Sequence, residues 1–178
     1  ATHTIVAQVD ALKNMVNSFG DYARPPALQL VPLDMNLLAN EVLDLYEQDT
    51  RLRLERHFDT ALPRVRADSV RLRQVLHNLL KNAIEATAEL NPATLVVGTA
   101  QRDESGRAGV EIWVSDNGPG LPHGFDQHWF EPYRSTKARG TGLGLAIVAK
   151  IAQEHGGRLR AENRVECGAR FSLWLPLA

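Results

Sequence analysis

A glycine-rich stretch at residues 140–147, GTGLGLAI, has the composition of a phosphate-binding turn. Glycine lets a backbone approach a ligand closely, and the helix predicted to follow would offer unpaired N–H groups at the positive end of its dipole. Two common phosphate motifs are excluded: a dinucleotide fingerprint needs glycine where Leu145 stands, and a P-loop needs Gly-Lys before Ser or Thr, which the chain lacks. The stretch alone predicts an anion site or, equally well, a packing turn.

A second candidate is the polar face of a predicted helix that contains HNLLKNAIEA, residues 77–86. Asn78, Asn82 and Glu85 recur there at i, i+4 and i+7 and share that face. Asparagine is a mediocre helix former, so two on one face need a reason. An amide oxygen suits Mg²⁺, which takes few protein ligands and completes its shell with water and phosphate oxygens. The plain alternative is a pair of solvated surface amides.

Two further segments contain groups that could recognise a nucleotide. A predicted apolar strand runs into DNGPG, residues 116–120, so that Asp116 ends a buried strand. Its carboxylate could accept a hydrogen bond from an adenine amino group, and the glycines would let the base approach the backbone. FEPYRSTK, residues 130–137, places the aromatic anchor Phe130 before Lys137, a cation that could reach a phosphate. For DNGPG, an ordinary Asp-Asn-Gly turn is the alternative.

The amino-acid composition limits which classes of protein could contain these segments. The chain has 178 residues, 44% of them hydrophobic, and a net charge of −1, which indicates one ordinary folded domain with room for a small appendage. The near-neutral balance argues against nucleic acid as a partner. No apolar stretch has membrane-spanning length, no signal peptide is visible, and the single Cys167 fits a reducing compartment. We expect a cytoplasmic fragment without direct membrane contact, whether or not its parent protein is anchored in a membrane.

The first segment is predicted to be a helix with a coiled-coil type of seam. Its apolar residues are spaced by alternating steps of four and three: Ile5, Val9, Leu12, Val16, Phe19 and Ala23. This pattern is typical of a helix that lies along partner helices, although a lone amphipathic helix packed on its own domain is the alternative. Arg24-Pro25-Pro26 ends the helix and marks a predicted domain boundary, with residues 1–26 before it and 27–178 after it.

The elements after this boundary predict an α+β fold. Strands are expected at 28–31, 51–58, near Val65, and at 94–101, 110–115, 158–165 and 169–175. Helices are expected at 35–47, 69–90 and 141–155, the first two capped by Asp34 and Asp68. Residues 117–140 form a long loop, which in a compact domain is usually functional. The order lacks regular βαβ alternation and favours a two-layer sandwich, with helices on one face of a mixed sheet.

Taken together, the candidate segments resemble a known family. Asn78-x-x-x-Asn82, Asp116-x-Gly118-x-Gly120, Phe130-x-Pro132 and Gly140-x-Gly142-x-Gly144 are similar to the N, G1, F and G2 boxes of sensor histidine kinases, in that order. Each box alone is weak evidence, but four boxes in this order and at these separations are specific to the family. The resemblance covers about residues 28–178. It implies the Bergerat ATP-binding fold, shared with type II topoisomerases, Hsp90 chaperones and mismatch-repair ATPases.

The resemblance also implies ligands and roles. ATP and Mg²⁺ would be bound, with Asn82 on the metal, Asp116 on adenine, Lys137 and the glycines on the phosphates, and residues 121–139 as an ATP lid. The implied ATP-binding residues are Asn78, Asn82, Asp116, Gly118, Gly120, Phe130, Lys137, Gly140, Thr141, Gly142, Leu143 and Gly144. Asn78 and Lys137 are the implied catalytic residues.

The first segment resembles the second helix of the dimerisation and phosphotransfer hairpin of these kinases. Its partners would be the hairpin's first helix, the same pair from a second subunit, and a response regulator. The sequence of this segment, together with FEPYRSTK and GTGLGLAIV, is most similar to the nitrogen-regulation sensor kinases.

The sequence differs in two ways from the proteins that it resembles, and both differences bear on the expected reaction. None of the histidines stands in the context of a phosphoacceptor: His3, His57, His77, His123, His128 and His155. We therefore expect a fragment that transfers the γ-phosphoryl group of ATP to a histidine on a missing helix, and that does not label itself. ATP-hydrolysing relatives place a glutamate where Asn78 stands, and an amide is a poor general base, which favours transfer over hydrolysis. The alternatives are a serine kinase or ATPase of the same fold, and an ATP sensor without catalysis.

Overall fold

A computed structural model of the chain describes residues 2–23, 27–132, 134 and 143–177. The helices are α1 (Thr2–Ala23), α2 (Met35–Asp44), α3 (Ser69–Ala86) and α4 (Gly144–Glu154), with one 3₁₀ turn at Gln127–Phe130. The strands are β1 (Val31–Leu33), β2 (Leu52–His57), β3 (Val65–Ala67), β4 (Ala93–Gln101), β5 (Gly109–Asp116), β6 (Arg158–Asn163) and β7 (Ala169–Pro176). The predicted domain boundary at residues 24–26 lies outside the described residues.

The main sheet has five strands in the order β2-β4-β5-β7-β6. Strands β2 and β4 are parallel and joined through α3, whereas the other neighbours are antiparallel. β1 and β3 form a separate antiparallel pair. The predicted mixed sheet is confirmed.

Helices α2, α3 and α4 cover one face of this sheet. Their apolar stripes meet the inward side chains of β4, β5 and β7 in one continuous core. The stripe predicted for α3 is buried there: Leu72, Leu76, Leu79 and Ala83. The predicted α+β sandwich is therefore correct, because each helix buries one face and the sheet offers one apolar surface to receive it.

The opposite face of the sheet is covered by its own side chains. Trp113 lies across Gly98, where an added Cβ would stand 2.1 Å from the indole, and Trp174 lies across Gly109 in the same way. The Arg170 guanidinium stands 5.0 Å from the centroid of the Trp113 ring. Glycine in a strand interior is explained here by the close approach of an aromatic ring.

Several element ends differ from the predicted ones. The first strand is Val31–Leu33 rather than 28–31, because the Gln29 amide donates to the Asp68 carboxylate at 2.9 Å instead of joining a ladder. Helix α2 ends at Asp44, three residues before the predicted end. Helix α3 ends at Ala86 rather than 90, since the buried Thr87 hydroxyl bonds back to the Ala83 carbonyl at 2.8 Å. Strand β6 ends at Asn163, two residues early, where a turn begins.

The start of α3 is fixed by Asp68, as predicted. Its carboxylate accepts from the backbone N–H groups of Val70, Arg71 and Gln29. The Asp68 N–H donates to Nε2 of His155, whose Nδ1 donates to the Ile151 carbonyl, so this imidazole ties the end of α4 to the start of α3. Burial alone would raise the pKa of Asp68, but the three backbone donors and the Arg71 charge outweigh it and lower the pKa.

We expect Asp68→Ala to destabilise the fold by about 1–2 kcal/mol at pH 7, because it removes a helix cap. A lowered folded-state pKa means that this contribution is present above the ordinary value of 3.8 and is lost as the pH falls through the folded-state pKa. Urea unfolding at pH 7 and at acid pH checks both points. Asp34→Ala is the matched control, because Asp34 caps α2 through an exposed bond to Leu37 and should cost less. Equal losses for the two variants would contradict the special role of Asp68.

Helix α1 is confirmed over Thr2–Ala23. Its predicted seam is exposed in this chain: Ile5, Val9, Leu12, Val16 and Phe19 are 51–61% exposed. Within the described ranges, none of the helices combines the length and apolar character that crossing a bilayer requires.

Candidate nucleotide-binding site

The polar face of α3 lies beside the start of α4. Asn78 and Asn82 are half-buried on this face and Glu85 is exposed. Nδ2 of Asn78 donates to the Gln74 carbonyl at 2.9 Å. Its Oδ1 faces α4, because a Cβ added to Gly144 would stand 3.2 Å from that oxygen. Asn78 of the N box and Gly144 of the glycine stretch, 66 positions apart in sequence (144 − 78), are therefore neighbours in the fold.

Asp116 ends β5 with its side chain inside the protein, and the residue is 3% exposed. Oδ1 accepts from the Gly118 N–H at 2.8 Å and from the Ala169 N–H at 3.3 Å. No described residue donates a hydrogen bond to Oδ2. Burial raises the pKa of Asp116, and the two N–H donors and the Arg164 charge oppose that rise only in part. The arrangement holds one carboxylate oxygen in place and leaves the other for a ligand that carries an N–H donor.

The DNGPG segment packs on the end of α3. A Cβ on Gly118 would approach the Ala86 carbonyl oxygen to 2.8 Å, which explains the need for glycine. Gly120 has a φ of +90°, and the Asn117 side chain accepts from the Thr94 N–H at 2.9 Å. Helix α3 is therefore in contact with both segments: with DNGPG at Ala86 and with the start of α4 at Asn78.

The described part of the long loop holds an aromatic cluster. Phe125 stacks on Trp129 with ring centroids 5.7 Å apart and meets Phe130 and Phe171 edge-on. Phe130, the predicted aromatic anchor, is half-buried against the core. Asp126 begins the 3₁₀ turn by accepting from the His128 N–H. This cluster fixes the first part of the loop to strand β7.

The glycine stretch is described only from Leu143 onwards. Leu143 is fully buried and is the N-cap residue of α4, and its own side chain makes no capping hydrogen bond. Lys137, Gly140, Thr141 and Gly142 lie outside the described residues, so their predicted phosphate contacts stay predictions. A helix start without a side-chain cap is suited to an anion.

The site also suits a magnesium ion held mainly by its nucleotide. The described residues contain no group of three His, Cys, Asp or Glu side chains that could hold a metal. Asn82 has a neutral, half-buried amide on the same face of α3 as Asn78, and Mg²⁺ is usually bound by one or two protein oxygens together with water and phosphate oxygens. The residues present fit that pattern.

His77, which lies beside Asn78 on α3, makes a hydrogen-bonding contact within the domain. Its Nδ1 lies 2.8 Å from the Tyr46 hydroxyl. Burial and the nearby Arg73 charge lower the pKa of His77, which favours the neutral ring. Sequence reasoning missed the turn between β6 and β7, whose Arg164 and Ala169 contact Asp116. The only available signal was a glycine, Gly168, at a position whose φ is +86°.

The family of the chain follows from a match over residues 67–178 to the profile of the histidine kinase-, DNA gyrase B- and HSP90-like ATPases. This stretch runs from Ala67 at the end of β3 to the end of the chain and includes α3, β5 and α4. The chain belongs to this ATPase family. The predicted resemblance is thereby confirmed, and the matched region contains the candidate residues on α3, at the end of β5 and at the start of α4.

Curated relatives of this ATPase-family chain are sensor histidine kinases. The sensor histidine kinase ZraS of Escherichia coli (strain K12) is 38% identical over 173 residues, which cover 96% of this chain and 36% of ZraS. The sensory histidine kinase/phosphatase NtrB of Rhizobium meliloti (strain 1021) is 31% identical over 175 residues, covering 92% of this chain and 46% of NtrB. Likeness to nitrogen-regulation kinases is thus confirmed and shared with ZraS. The chain spans about a third to a half of these proteins.

Solved structures give the same assignment. The catalytic domain of histidine kinase ThkA is 35% identical with a TM-score of 0.71, covering 83% of this chain and 97% of that domain. ThkA in complex with the response regulator TrrA gives 31% identity and a TM-score of 0.79, covering 98% of this chain and 50% of that one. Full-length ShkA, solved with AMPPNP, gives 28% identity and a TM-score of 0.79, covering 95% of this chain and 36% of ShkA. Residues 67–178 are thus an ATPase domain of the histidine kinase type.

Proposed function

We propose that the chain binds Mg²⁺-ATP and transfers its γ-phosphoryl group to a histidine nitrogen on a dimerisation helix, for relay to a response regulator. The observation that carries this proposal is the contact of α3 with both other segments: Asn78 lies beside Gly144 at the start of α4, and the loop after the buried Asp116 packs on the Ala86 carbonyl. The complex of ShkA with AMPPNP and that of ThkA with TrrA support the nucleotide and the partner.

Each feature would bind a different part of the nucleotide. Asp116 would accept a hydrogen bond from the adenine amino group, and Gly118 would let the base lie against the backbone. The N–H groups at the start of α4, with Gly140, Gly142 and Lys137, would contact the phosphates. Asn78 and Asn82 would face the same phosphates from α3, with Asn82 as a metal ligand. A bound Mg²⁺ supplies charge neutralisation on the phosphates.

The chemical step would be an in-line displacement at the γ-phosphorus. The bond from this phosphorus to the β–γ bridging oxygen breaks, a bond to an imidazole nitrogen forms, and ADP leaves. Catalysis of such a step depends mainly on positioning and charge stabilisation. The amide of Asn78, where hydrolysing relatives have a glutamate, supports transfer to a side chain over activation of water. The relatives found are histidine kinases, so a serine kinase and a non-catalytic ATP sensor are not favoured.

The remaining parts of the proposal concern residues 1–26 and the location of the protein in the cell. The exposed seam of α1 supports its assignment as the second helix of a dimerisation hairpin, with the first helix and a second subunit as partners. The catalytic domain would then be residues 27–178. The single cysteine supports a cytoplasmic location, where thiols stay reduced.

We expect this chain alone to bind Mg²⁺-ATP but to remain unlabelled by ATP carrying labelled γ-phosphate. Mixed with the complete hairpin of its parent protein, it should label that hairpin slowly, because separate molecules lack the effective concentration of the linked ones. Gel autoradiography over time checks both results. Gly144→Val should remove the labelling, since even a Cβ there meets Asn78 at 3.2 Å. Strong labelling of the isolated chain on a histidine would show that α1 has been misassigned.

A further inference from the structure

The turn between β6 and β7 packs directly against the backbone of Asp116. The Arg164 N–H donates to the Gly168 carbonyl at 2.9 Å and closes this turn. A Cβ on Gly168 would stand 1.9 Å from the carbonyl oxygen of Asp116, so the two backbones are in direct contact. The turn is separated from Asp116 by about fifty residues, yet the Ala169 N–H reaches the Asp116 carboxylate. The conformation of this turn therefore determines the position of the Asp116 carboxylate.

Arg164 makes a second contact to the same residue. Its Nη1 donates to the carbonyl oxygen of Asp116 at 2.9 Å. The preceding Asn163 accepts from the Leu121 N–H through Oδ1 at 2.7 Å, directly after DNGPG. Two adjacent side chains of β6 and its turn thus hold both ends of the segment that would contact a base.

We propose that Arg164 is a positioning residue for adenine recognition: its guanidinium fixes the Asp116 peptide and with it the buried carboxylate that would accept from the base. The proposal rests on the function proposed above. Burial raises the pKa of Asp116, and the Arg164 cation lowers it, so the guanidinium works against protonation. A charged hydrogen bond to a backbone carbonyl also restrains the peptide that carries the carboxylate.

The other groups that surround Asp116 are uncharged or exposed to solvent. Strand β4 presents Leu95 opposite it, β7 presents Ala169, and α3 presents the Ala86 carbonyl to the following loop. In the turn itself, Glu166 and Cys167 are exposed. Among the described residues, Arg164 is the cation that acts on the Asp116 carboxyl, and its guanidinium contacts the backbone carbonyl of the same residue.

The test is ADP affinity as a function of pH, measured by calorimetry on the full chain with Mg²⁺-ADP. At pH 7.5, Arg164→Gln should weaken binding about tenfold. The pH below which affinity is lost should move upward, because the carboxylate protonates more readily without the cation. Arg164→Lys should keep the wild-type pH profile while losing part of the affinity. Arg158→Gln removes a charge from the exposed start of β6 and should change neither property.

The outcomes separate the two proposals. A wild-type chain that does not bind ADP would overturn the proposed function and this inference with it. If the wild type binds and Arg164→Gln keeps the same pH profile, the positioning role is wrong and the proposed function stands. A fall in affinity equal at every pH, together with a lower unfolding temperature, would make Arg164 merely structural. Arg164→Lys retains the charge, so a shift of its pH profile as large as that of Arg164→Gln would also contradict the role of the cation.

Discussion

Asp116→Asn should lower ADP and ATP affinity by about a hundredfold while raising the thermal stability of the nucleotide-free protein. Binding falls because a hydrogen bond to a charged group is lost and the new amide N–H₂ would face the adenine amino group, donor against donor. Stability rises because Asn can keep the acceptor that Gly118 and Ala169 use, without the charge whose burial raises the pKa of Asp116.

The pH dependence of this gain has a definite sign. A carboxyl whose pKa is raised on folding costs stability as the pH rises above 3.8 and through the folded-state pKa. The advantage of Asp116→Asn should therefore be full at pH 8 and vanish in acid. Calorimetry and thermal unfolding check the two effects, with Asp103→Asn in an exposed turn as the control. Equal affinity of the wild type for ATP and GTP would refute adenine recognition by Asp116.

Asn82→Ala should slow phosphoryl transfer to the parent hairpin on the order of a hundredfold, because its amide is the proposed protein ligand of Mg²⁺ and metal charge is worth several kcal/mol in the transition state. Transfer should also need more Mg²⁺. Rates measured across a Mg²⁺ titration, with ADP binding measured in EDTA, separate metal binding from folding.

Asn82→Asp supplies the control for that experiment. A carboxylate is also an oxygen ligand for Mg²⁺, so this variant should keep more transfer than Asn82→Ala. ADP binding without metal should be nearly unchanged in both variants. If Asn82→Ala unfolds early and the folded remainder transfers at the normal rate, Asn82 is structural and the assignment to the metal is wrong.

Local signals in the sequence were enough for the elements and the motifs. Helix α3 was predictable because Leu72, Leu76 and Leu79 repeat with its period and Asp68 precedes it as a cap. The meeting of Asn78 with Gly144 followed from the resemblance rather than from local pattern, because no spacing rule links residues so far apart.

What could not be predicted depends on tertiary contacts. Helix α3 ends early because Thr87 bonds back into it and Arg51, from before β2, donates to the Thr87 carbonyl. Residues 28–30 resemble a strand by composition, but their polar group Gln29 bonds to a side chain 39 residues away. The contacts of Arg164 with Asp116 have the same character. Arginine in a turn gives no sign of its partner until the sheet order is known.

The position of β7 between β5 and β6 has a consequence for biosynthesis. The strand that supplies Ala169 to the Asp116 carboxylate is the last one in the described chain, yet it lies inside the sheet rather than at an edge. While a ribosome is still adding residues 158–176, β5 has one side without a neighbour and Asp116 lacks both Ala169 and Arg164. A nascent chain would expose an unpaired strand edge until these residues emerge from the exit tunnel. Nucleotide capture should therefore follow the emergence of residues 158–176, since only then can Asp116 gain its contacts with Arg164 and Ala169.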